Sequence, residues 1–389
     1  MSVAVINHNP DLKRLQDEGY ELEVREGCAI VTNVPYLDCT KTVKYGVLVS
    51  PLEMSGDLVK YRRMACKHVI YFQGTMPYRS NGEPLNAIML NQTKGVYAGV
   101  KTDMSFSNKP SGDYSDYYEK FVRYIQILSS EAQAIQPEVT AATFKKVVCD
   151  GTDKVFNYAD TNASRGSIMD VTDKLKKHKI GIVGLGGTGS YILDQLAKTP
   201  VAEIHLYDGD VFCQHNAFRA PGAADKDIFV KQPFKTDYFK SVYENMHKKI
   251  FSHHSFLDED NVRELEGLDF IFLAMDSGKA KKLIVDFLKE CCIDFIDTGI
   301  DINRAGDSLI GMTRSTLSVN GNTKTAEQHI SYEEPDKDLY QSNVQTADMN
   351  AFCALNAVIL WKKKLGFYKD NINKENCVYT TNDGECTWS

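Results

Sequence analysis

The residues best suited to chemistry begin with a glycine-rich loop that follows the apolar run 179–183. Four glycines lie close together in it, at Gly184, Gly186, Gly187 and Gly189. Glycines let a backbone turn tightly and approach a phosphate, and the N-terminus of a following helix offers free N–H groups to that phosphate. A second apolar run, 201–208, ends at Asp208, where an acidic side chain is typical of ribose binding. The sequence therefore predicts a nucleotide site.

The segment after Asp208 indicates which kind of nucleotide the site binds. A second acid, Asp210, is followed by Asn216 and Arg219 within the same short loop. Nicotinamide-dependent dehydrogenases need one acid at this place and not the other three residues. A nucleotide with β- and γ-phosphates does call for them, because those charges are bound by Arg and Lys and by a metal ion on a carboxylate. We therefore expect a nucleoside triphosphate.

Two further residues complete a recognisable pattern, namely Lys235 in the next predicted helix and Asp276 after a later apolar run. With the glycine loop and the segment 208–219, they resemble the ThiF/MoeB superfamily, which includes the adenylation fold of ubiquitin-activating enzymes. The resemblance covers about residues 160–315. The two-part organisation of the chain is similar to that of bacterial ThiF-type proteins that carry an extra N-terminal domain. It implies ATP-dependent adenylation of the C-terminal carboxylate of a ubiquitin-like or sulfur-carrier protein, giving an acyl-adenylate and pyrophosphate.

The resemblance also implies a role for each matching residue. Asp276 would hold Mg²⁺ against the phosphates, Arg219 and Lys235 would neutralise the triphosphate, and Arg165 would reach the ATP of a partner subunit in a homodimer. The residues expected to bind the nucleotide are Gly184, Gly186, Gly187, Gly189, Asp208, Asp210 and Asn216. Many family members also hold zinc in two Cys-x-x-Cys pairs, which this sequence lacks, so we expect no zinc.

Alternatives remain at this point. Asp208 could cap a turn, Asp276 could cap a helix, and Lys235 could be a surface lysine. The same fold could adenylate a small-molecule or RNA-borne carboxylate instead of a protein. A nicotinamide-dependent oxidoreductase or a non-catalytic Rossmann binding module is the alternative of another class. A thioester step is a separate question, because residues 300–345 contain no cysteine and only Cys377 and Cys386 in the polar tail could serve.

Composition limits the classes of partner. The chain has 389 residues, 43% hydrophobic, and a net charge of −7, which argues against a nucleic-acid-binding surface. No apolar stretch is long enough to span a membrane, and we expect no membrane partner. The ten cysteines show no framework spacing, which is typical of reduced thiols in the cytoplasm.

The elements that position these residues predict an α/β fold with a Rossmann-like, mainly parallel sheet, preceded by a smaller α+β domain. We place the N-terminal domain at 1–150, a polar linker at 150–165, the adenylation domain at 160–330 and a C-terminal helical segment at 331–389. The resemblance suggests that the first domain recruits the carrier, with a conjugating-enzyme-like fold. Predicted strands of the second domain are 179–184, 201–208, 268–275 and 291–298, and predicted helices are 188–198, 235–249, 279–290 and 347–364.

Overall fold

The structure is a computed structural model that describes residues 2–61, 68–109, 113–145, 155–158, 160, 162–163, 168–319, 324–333 and 344–389. It divides into two compact units. The first comprises Met1–Lys154 with Tyr158–Asp170, and the second comprises Val155–Asn157 with Val171–Ser389. Most of the predicted linker 150–165, including Arg165, lies outside the described residues. Within the described part of the chain, no helix is long and apolar enough to cross a membrane.

The first unit is an antiparallel sheet covered by helices. Its helices are Ser2–His8, Pro10–Asp17 and Tyr117–Gln133, with a 3₁₀ turn at Asn86–Ile88. Its strands are β1 (Leu22–Arg25), β2 (Cys28–Leu37), β3 (Val43–Pro51), β4 (Met54–Ser55), β5 (Leu58–Val59), β6 (Val69–Gln73), β7 (Met89–Asn91), β8 (Gly95–Tyr97), β9 (Val100–Thr102) and β10 (Met104–Ser107). Six of them form one sheet in the order β1-β2-β3-β6-β10-β7, and two short hairpins, β4-β5 and β8-β9, stand outside it.

Helix Tyr117–Gln133 shows why this unit folds as it does. Asp116 caps its N-terminus by accepting a hydrogen bond from the backbone N–H of Glu119 at 2.8 Å. Apolar side chains three and four positions apart, Phe121, Ile125 and Leu128 among them, are buried against the sheet in the core of the unit. An amphipathic helix on one face of an antiparallel sheet gives the α+β domain that the predicted elements indicate.

The second unit is built on an eight-stranded sheet. Its strands are β11 (Lys179–Val183), β12 (Glu203–Tyr207), β13 (Ile250–His253), β14 (Phe270–Leu273), β15 (Asp294–Ala305), β16 (Ser308–Ser318), β17 (Asn376–Thr380) and β18 (Cys386–Trp388). The order is β13-β12-β11-β14-β15-β16-β17-β18. The first five strands run parallel and the last three pair antiparallel. The chain moves from β11 to one side through β12 and β13, and then to the other side through β14. Ligands of open α/β sheets bind at such a switch point, at the carboxyl ends of the strands.

Helices cover both faces of this sheet. They are Met169–Thr172, Gly187–Leu196, Gln214–Ala217, Ile228–Lys231, Lys235–Tyr243, Gly278–Glu290, Lys324–His329 and Ala347–Lys364, with 3₁₀ turns at Asp173–Leu175 and Val262–Leu265. One core lies between the sheet and the helices Gly187–Leu196 and Ala347–Lys364, where Trp361 is fully buried. The other lies under helix Gly278–Glu290, around Ile284 and Leu288. The predicted Rossmann-like, mainly parallel sheet is confirmed.

Three sequence predictions differ from the structure. The helix expected at 235–249 ends at Tyr243, because the chain turns there to enter β13. The spacing of apolar residues in 238–246 predicts a buried stripe on this helix; Phe239 is buried, whereas Val242 is 44% exposed. The segment 331–389 is not only helical, since β17 and β18 extend the sheet. In the first unit, the apolar run 85–90 predicts a strand, and the structure has a 3₁₀ turn there followed by the short strand β7.

Candidate functional site

The glycine-rich loop joins β11 to helix Gly187–Leu196, and its glycines are required by close backbone contacts. Gly184 has φ +89°, and a Cβ there would lie 2.3 Å from the carbonyl oxygen of Ala274. A Cβ on Gly189 would lie 1.8 Å from the carbonyl oxygen of Gly184. Gly186 differs, because no atom of the described residues lies within 4 Å of the place where its Cβ would be. It is the N-cap of the helix and has no side-chain cap, so the first helical N–H groups receive no hydrogen bond from a capping side chain.

Asp208 ties the glycine loop to the loop after β12. Its side chain is 6% exposed, and Oδ2 accepts a hydrogen bond from the N–H of Leu185 at 2.7 Å. Oδ1 accepts one from the N–H of Asp210 at 2.8 Å. Both carboxylate oxygens are therefore engaged with the protein backbone. Asp208 fixes the shape of the site, in addition to any contact with a ribose.

Lys235 connects both acids. Its Nζ lies 2.6 Å from Oδ2 of Asp210 and 3.5 Å from Oδ1 of Asp208, and the lysine side chain is only 9% exposed. Its position as the first residue of helix Lys235–Tyr243 is held by a hydrogen bond from its N–H to the carbonyl oxygen of Asp210 at 2.9 Å. Asp210 is the exposed member of the set, with a side chain 56% exposed. The lysine is therefore not a solvated surface residue, and its ammonium lies where an incoming anion could share it.

Asn216 and Arg219 lie on one turn. Oδ1 of Asn216 accepts the N–H of Cys213 at 2.8 Å, which caps the short helix Gln214–Ala217, and the N–H of Arg219 donates to the carbonyl oxygen of Asn216 at 3.1 Å. Nε of Arg219 is buried and has no hydrogen-bond partner among the described residues. Burial lowers the pKa of this guanidinium, and the negative charge of Asp276 acts in the opposite direction. A buried cationic N–H without an acceptor is costly, so this group suits an anionic ligand.

Asp276 lies after β14, on the loop 274–277 that leads into helix Gly278–Glu290. Its side chain is exposed, and the helix N-cap is Ser277. Asp276 thus lies at the carboxyl edge of the sheet and is not the N-cap of helix Gly278–Glu290. Its charge acts on Arg219, which belongs to the loop after β12. The fold therefore brings together the charged groups that follow two different strands.

The residues present fit a nucleoside triphosphate with Mg²⁺. The open space at Gly186, the uncapped helix N-terminus and the unpartnered Nε of Arg219 suit phosphate oxygens. Among the described residues no group of three or more His, Cys, Asp or Glu side chains could hold a metal on its own. Mg²⁺ is usually held by one or two carboxylates together with substrate phosphates, so the single exposed carboxylate of Asp276 suits it.

Sequence reasoning missed Asn350, which comes from the C-terminal helix Ala347–Lys364. Its side chain is 1% exposed and occupies the place of a Cβ on Gly187, 2.2 Å away. Its Oδ1 accepts a hydrogen bond from Oγ1 of Thr188 at 3.0 Å, and its Nδ2 donates to the carbonyl oxygen of Thr346 at 2.9 Å. Its sequence carries no distinguishing signal, because the helix also contains Asp348 and Asn356 and the partner of Asn350 lies 162 positions earlier in the chain.

The two cysteines left open as nucleophiles lie on the C-terminal hairpin. Cys377 is buried in β17, and burial raises the pKa of its thiol to about 12. Such a thiol stays protonated near neutral pH and is a weak nucleophile. Cys386 on β18 is exposed. Arg165, the remaining predicted site residue, lies outside the described residues.

The sequence was compared with known proteins. Residues 158–366 match the family described as ThiF family, and residues 10–161 match one described as Domain of unknown function (DUF6791). The tRNA threonylcarbamoyladenosine dehydratase of Haemophilus influenzae is 26% identical over 151 residues, which are 38% of this chain and 57% of that protein. This chain thus spans little more than half the length of that curated relative.

Similar solved structures include E. coli MccB with MccA-N7isoASN, at 19% identity and a TM-score of 0.48, covering 60% of this chain and 72% of that one. E. coli MccB with ATP has 20% identity and a TM-score of 0.45, covering 58% and 68%. PaaA has 18% identity and a TM-score of 0.47, covering 78% and 97%. The match over residues 158–366 takes in more than half of the sequence, and the chain belongs to the ThiF family.

Proposed function

We propose that this chain activates the C-terminal carboxylate of a ubiquitin-like or sulfur-carrier protein by ATP-dependent adenylation. A carboxylate oxygen attacks the α-phosphorus of ATP, the bond from that phosphorus to the bridging β-phosphate oxygen breaks, and pyrophosphate leaves. The products are a carrier acyl-adenylate and pyrophosphate. The observation that carries the proposal is the buried, unpartnered Nε of Arg219 beside the charge of Asp276, at the switch point of the parallel sheet.

The roles of the residues follow from charge. An anionic carboxylate must approach an anionic triphosphate, and the leaving pyrophosphate gains charge, so positioning and electrostatic stabilisation carry the reaction. Arg219 offers, in its Nε, a donor that has no partner in the part of the chain that the structure describes. Lys235 is shared between Asp208 and Asp210, and a phosphate oxygen would compete with the exposed Asp210 for its ammonium. The open backbone at Gly186 receives the phosphates.

Three contacts of the ground-state nucleotide are part of the proposal. Asp208 accepts a ribose hydroxyl with the remaining lone pairs of its oxygens, and Asn216 orients the triphosphate from its capped turn. Asp276 holds Mg²⁺, which when bound screens the charge of the phosphates. The carboxylate of Asp276 is exposed and lies at the carboxyl edge of the sheet, which supports this role.

A homodimer is a further part of the proposal. By resemblance to the family, Arg165 of one subunit reaches the ATP of the other. We infer from this that two copies of the chain are needed for full activity. The carrier protein is then the second macromolecular partner.

The test is ATP–pyrophosphate exchange with candidate carriers, including proteins encoded beside this gene, together with intact-mass analysis of the carrier. We expect exchange and an adenylated carrier only when the carrier ends in a free carboxylate. The same carrier with an amidated C-terminus is the matched control, because it lacks the nucleophile and keeps the docking surface. Tight binding of NAD with no binding of ATP would contradict the nucleotide assignment.

A second candidate is adenylation of an RNA-borne carboxylate. It is favoured by the similarity over 151 residues to a protein named as a tRNA threonylcarbamoyladenosine dehydratase. The net charge of −7 argues against it, because RNA binding depends on neutralising phosphates with cationic side chains. The exchange assay separates the two candidates, since modified tRNA would then support exchange and carrier proteins would not.

A further inference from the structure

A buried ionic cluster lies in the second unit, next to the residues already described. Asp297 on β15 is fully buried, with Oδ1 3.0 Å from Nζ of Lys281 and Oδ2 2.5 Å from Nη2 of Arg314. Lys281 is 8% exposed and Arg314 is 15% exposed. Nη1 of Arg314 donates to Oγ1 of Thr316 at 2.6 Å. Three charged side chains are thus withdrawn from water together.

The cluster joins three elements around the loop that carries Asp276. Lys281 lies in the first turn of helix Gly278–Glu290, where its N–H donates to the carbonyl oxygen of Ser277 at 3.0 Å. Asp297 is in register with Leu273, the last residue of β14, from which the loop 274–277 departs. Arg314 belongs to β16, the antiparallel neighbour of β15. The carboxylate of Asp297 therefore lies between the end of β14 and the start of helix Gly278–Glu290.

Other contacts fix the same loop. Oγ1 of Thr298 donates to the carbonyl oxygen of Leu273 at 2.8 Å, at the point where β14 ends. At the other end of the loop, a Cβ on Gly278 would lie 2.2 Å from the carbonyl oxygen of Tyr332. The helix therefore starts in tight contact with the backbone of residue 332. Lys281 adds an electrostatic link from this helix to the sheet.

Stability alone is a poor reason for such a cluster. Burying charges costs desolvation energy, and well-packed apolar side chains of similar volume often stabilise a fold at least as well. Oδ1 of Asp297 lies near Lys281 but forms no aligned hydrogen bond, so the pair is not optimised for strength. The hydrogen bond from Arg314 to Asp297 and the close approach of Lys281 suit another use, which is to hold one orientation of the elements that they join.

We propose that Asp297, which contacts Lys281 and Arg314, is a positioning residue. It fixes the start of helix Gly278–Glu290 and thereby orients Asp276 toward the nucleotide phosphates. The inference rests on the proposed function, because it assigns Asp276 to the metal and phosphates. None of the three cluster residues needs to touch the nucleotide. Their effect on ATP binding must then pass through Asp276.

A double-mutant cycle tests this on binding rather than on turnover. Lys281→Gln removes the charge and keeps a hydrogen-bond donor toward Asp297, and it is combined with Asp276→Ala. The readout is the Kd of ATP in the presence of Mg²⁺ by calorimetry, with thermal melting of each variant. We expect Lys281→Gln to raise Kd about tenfold in the wild-type background and less than about twofold in the Asp276→Ala background, because coupled sites are not additive.

Lys289→Gln is the matched control, since it removes a lysine of the same helix whose ion pair with Glu327, at 2.8 Å, is on the surface. It should leave Kd unchanged. Arg314→Gln provides a second arm if Lys281→Gln does not fold, and it is judged by the same cycle. An equal loss of affinity with and without Asp276, or no loss at all, overturns the inference.

The cycle also separates this inference from the proposed function. Wild-type protein that binds ATP with Mg²⁺ but activates no carrier contradicts the proposed carrier substrate. The double-mutant cycle can still be measured in that case, because its readout is the Kd of ATP. Wild-type protein that binds no ATP contradicts the nucleotide site itself. Non-additivity between Lys281 and Asp276 supports the positioning role whichever carboxylate the enzyme adenylates.

Discussion

Replacement of Asp276 by alanine is the most direct test of the proposed chemistry. The carboxylate is exposed at the carboxyl edge of the sheet, does not cap the helix that follows, and acts electrostatically on Arg219. Removing an exposed side chain outside the core changes the free energy of unfolding by about 0.5 kcal/mol or less. Removing a group that stabilises transition-state charge costs on the order of 3 kcal/mol, which is about a hundredfold in rate. We therefore expect a large loss of activity in a protein of nearly unchanged stability.

The assay is ATP–pyrophosphate exchange measured beside thermal melting for Asp276→Ala and Asp276→Asn. The asparagine variant keeps the shape of the side chain and removes its charge, so it should lose activity almost as fully as the alanine variant. Asp286→Ala is the matched control, because Asp286 lies on the helix that follows Asp276, is 46% exposed and forms a surface ion pair with Lys282. It should retain wild-type exchange.

Two results would refute this reasoning. Near wild-type exchange by both Asp276 variants would show that Asp276 does not hold the metal. The proposed mechanism would then have no protein carboxylate to bind Mg²⁺. A loss of activity that merely follows early melting would assign Asp276 a structural role at the helix start instead.

Three further predictions concern the glycine loop, a buried histidine and the dimer. Gly184→Ala should lower the free energy of unfolding, measured by denaturant titration, by more than about 2 kcal/mol, because a positive φ is combined with a clash against Ala274. Gly222→Ala is the control, since Gly222 has a positive φ and no described atom near its Cβ position, and it should cost about 1 kcal/mol. His247 is fully buried, donates from Nε2 to the carbonyl oxygen of Val201 at 3.0 Å, and burial lowers its pKa below the ordinary 6.5. As the pH falls below 6.5, the unfolded chain takes up this proton before the folded chain does, so the free energy of unfolding decreases. His247→Gln should reduce the slope of the free energy of unfolding against pH by up to about 1.4 kcal/mol per pH unit. An unchanged slope would contradict the assignment. Finally, Arg165→Ala and Asp276→Ala should each be inactive alone and regain activity when mixed, whereas a fully active monomer in sedimentation would remove the trans role of Arg165.

Much of the site could be predicted because its residues follow strands of one sheet. The loop of Gly184, the acids after β12 and the loop of Asp276 are each local to one strand end, and the parallel order of the strands brings those ends together. Chain order and apolar runs are therefore sufficient to predict the neighbourhood. They do not show that both oxygens of Asp208 are used by the N–H groups of Leu185 and Asp210.

The parts that could not be predicted depend on contacts between distant residues. Asn350 meets the glycine loop from a helix near the C-terminus, and Arg314 reaches Asp297 across a long hairpin. A buried polar residue looks the same in sequence whether its partner is near or far. The strands β17 and β18 were also missed, because they are short and Cys386 and Thr387 are exposed, so they carry little apolar alternation.

The contact of Asn350 with Gly187 and Thr188 has a consequence for the order in which the chain acquires its function. A chain emerging from the ribosome folds its N-terminal parts first, and contacts between residues far apart in sequence form late. The glycine loop and the acids after β12 are synthesised well before helix Ala347–Lys364, which packs against helix Gly187–Leu196 and contacts Gly187 and Thr188 through Asn350. Nascent chains arrested before residue 347 should therefore bind ATP poorly, and nucleotide affinity should appear only once that helix has docked.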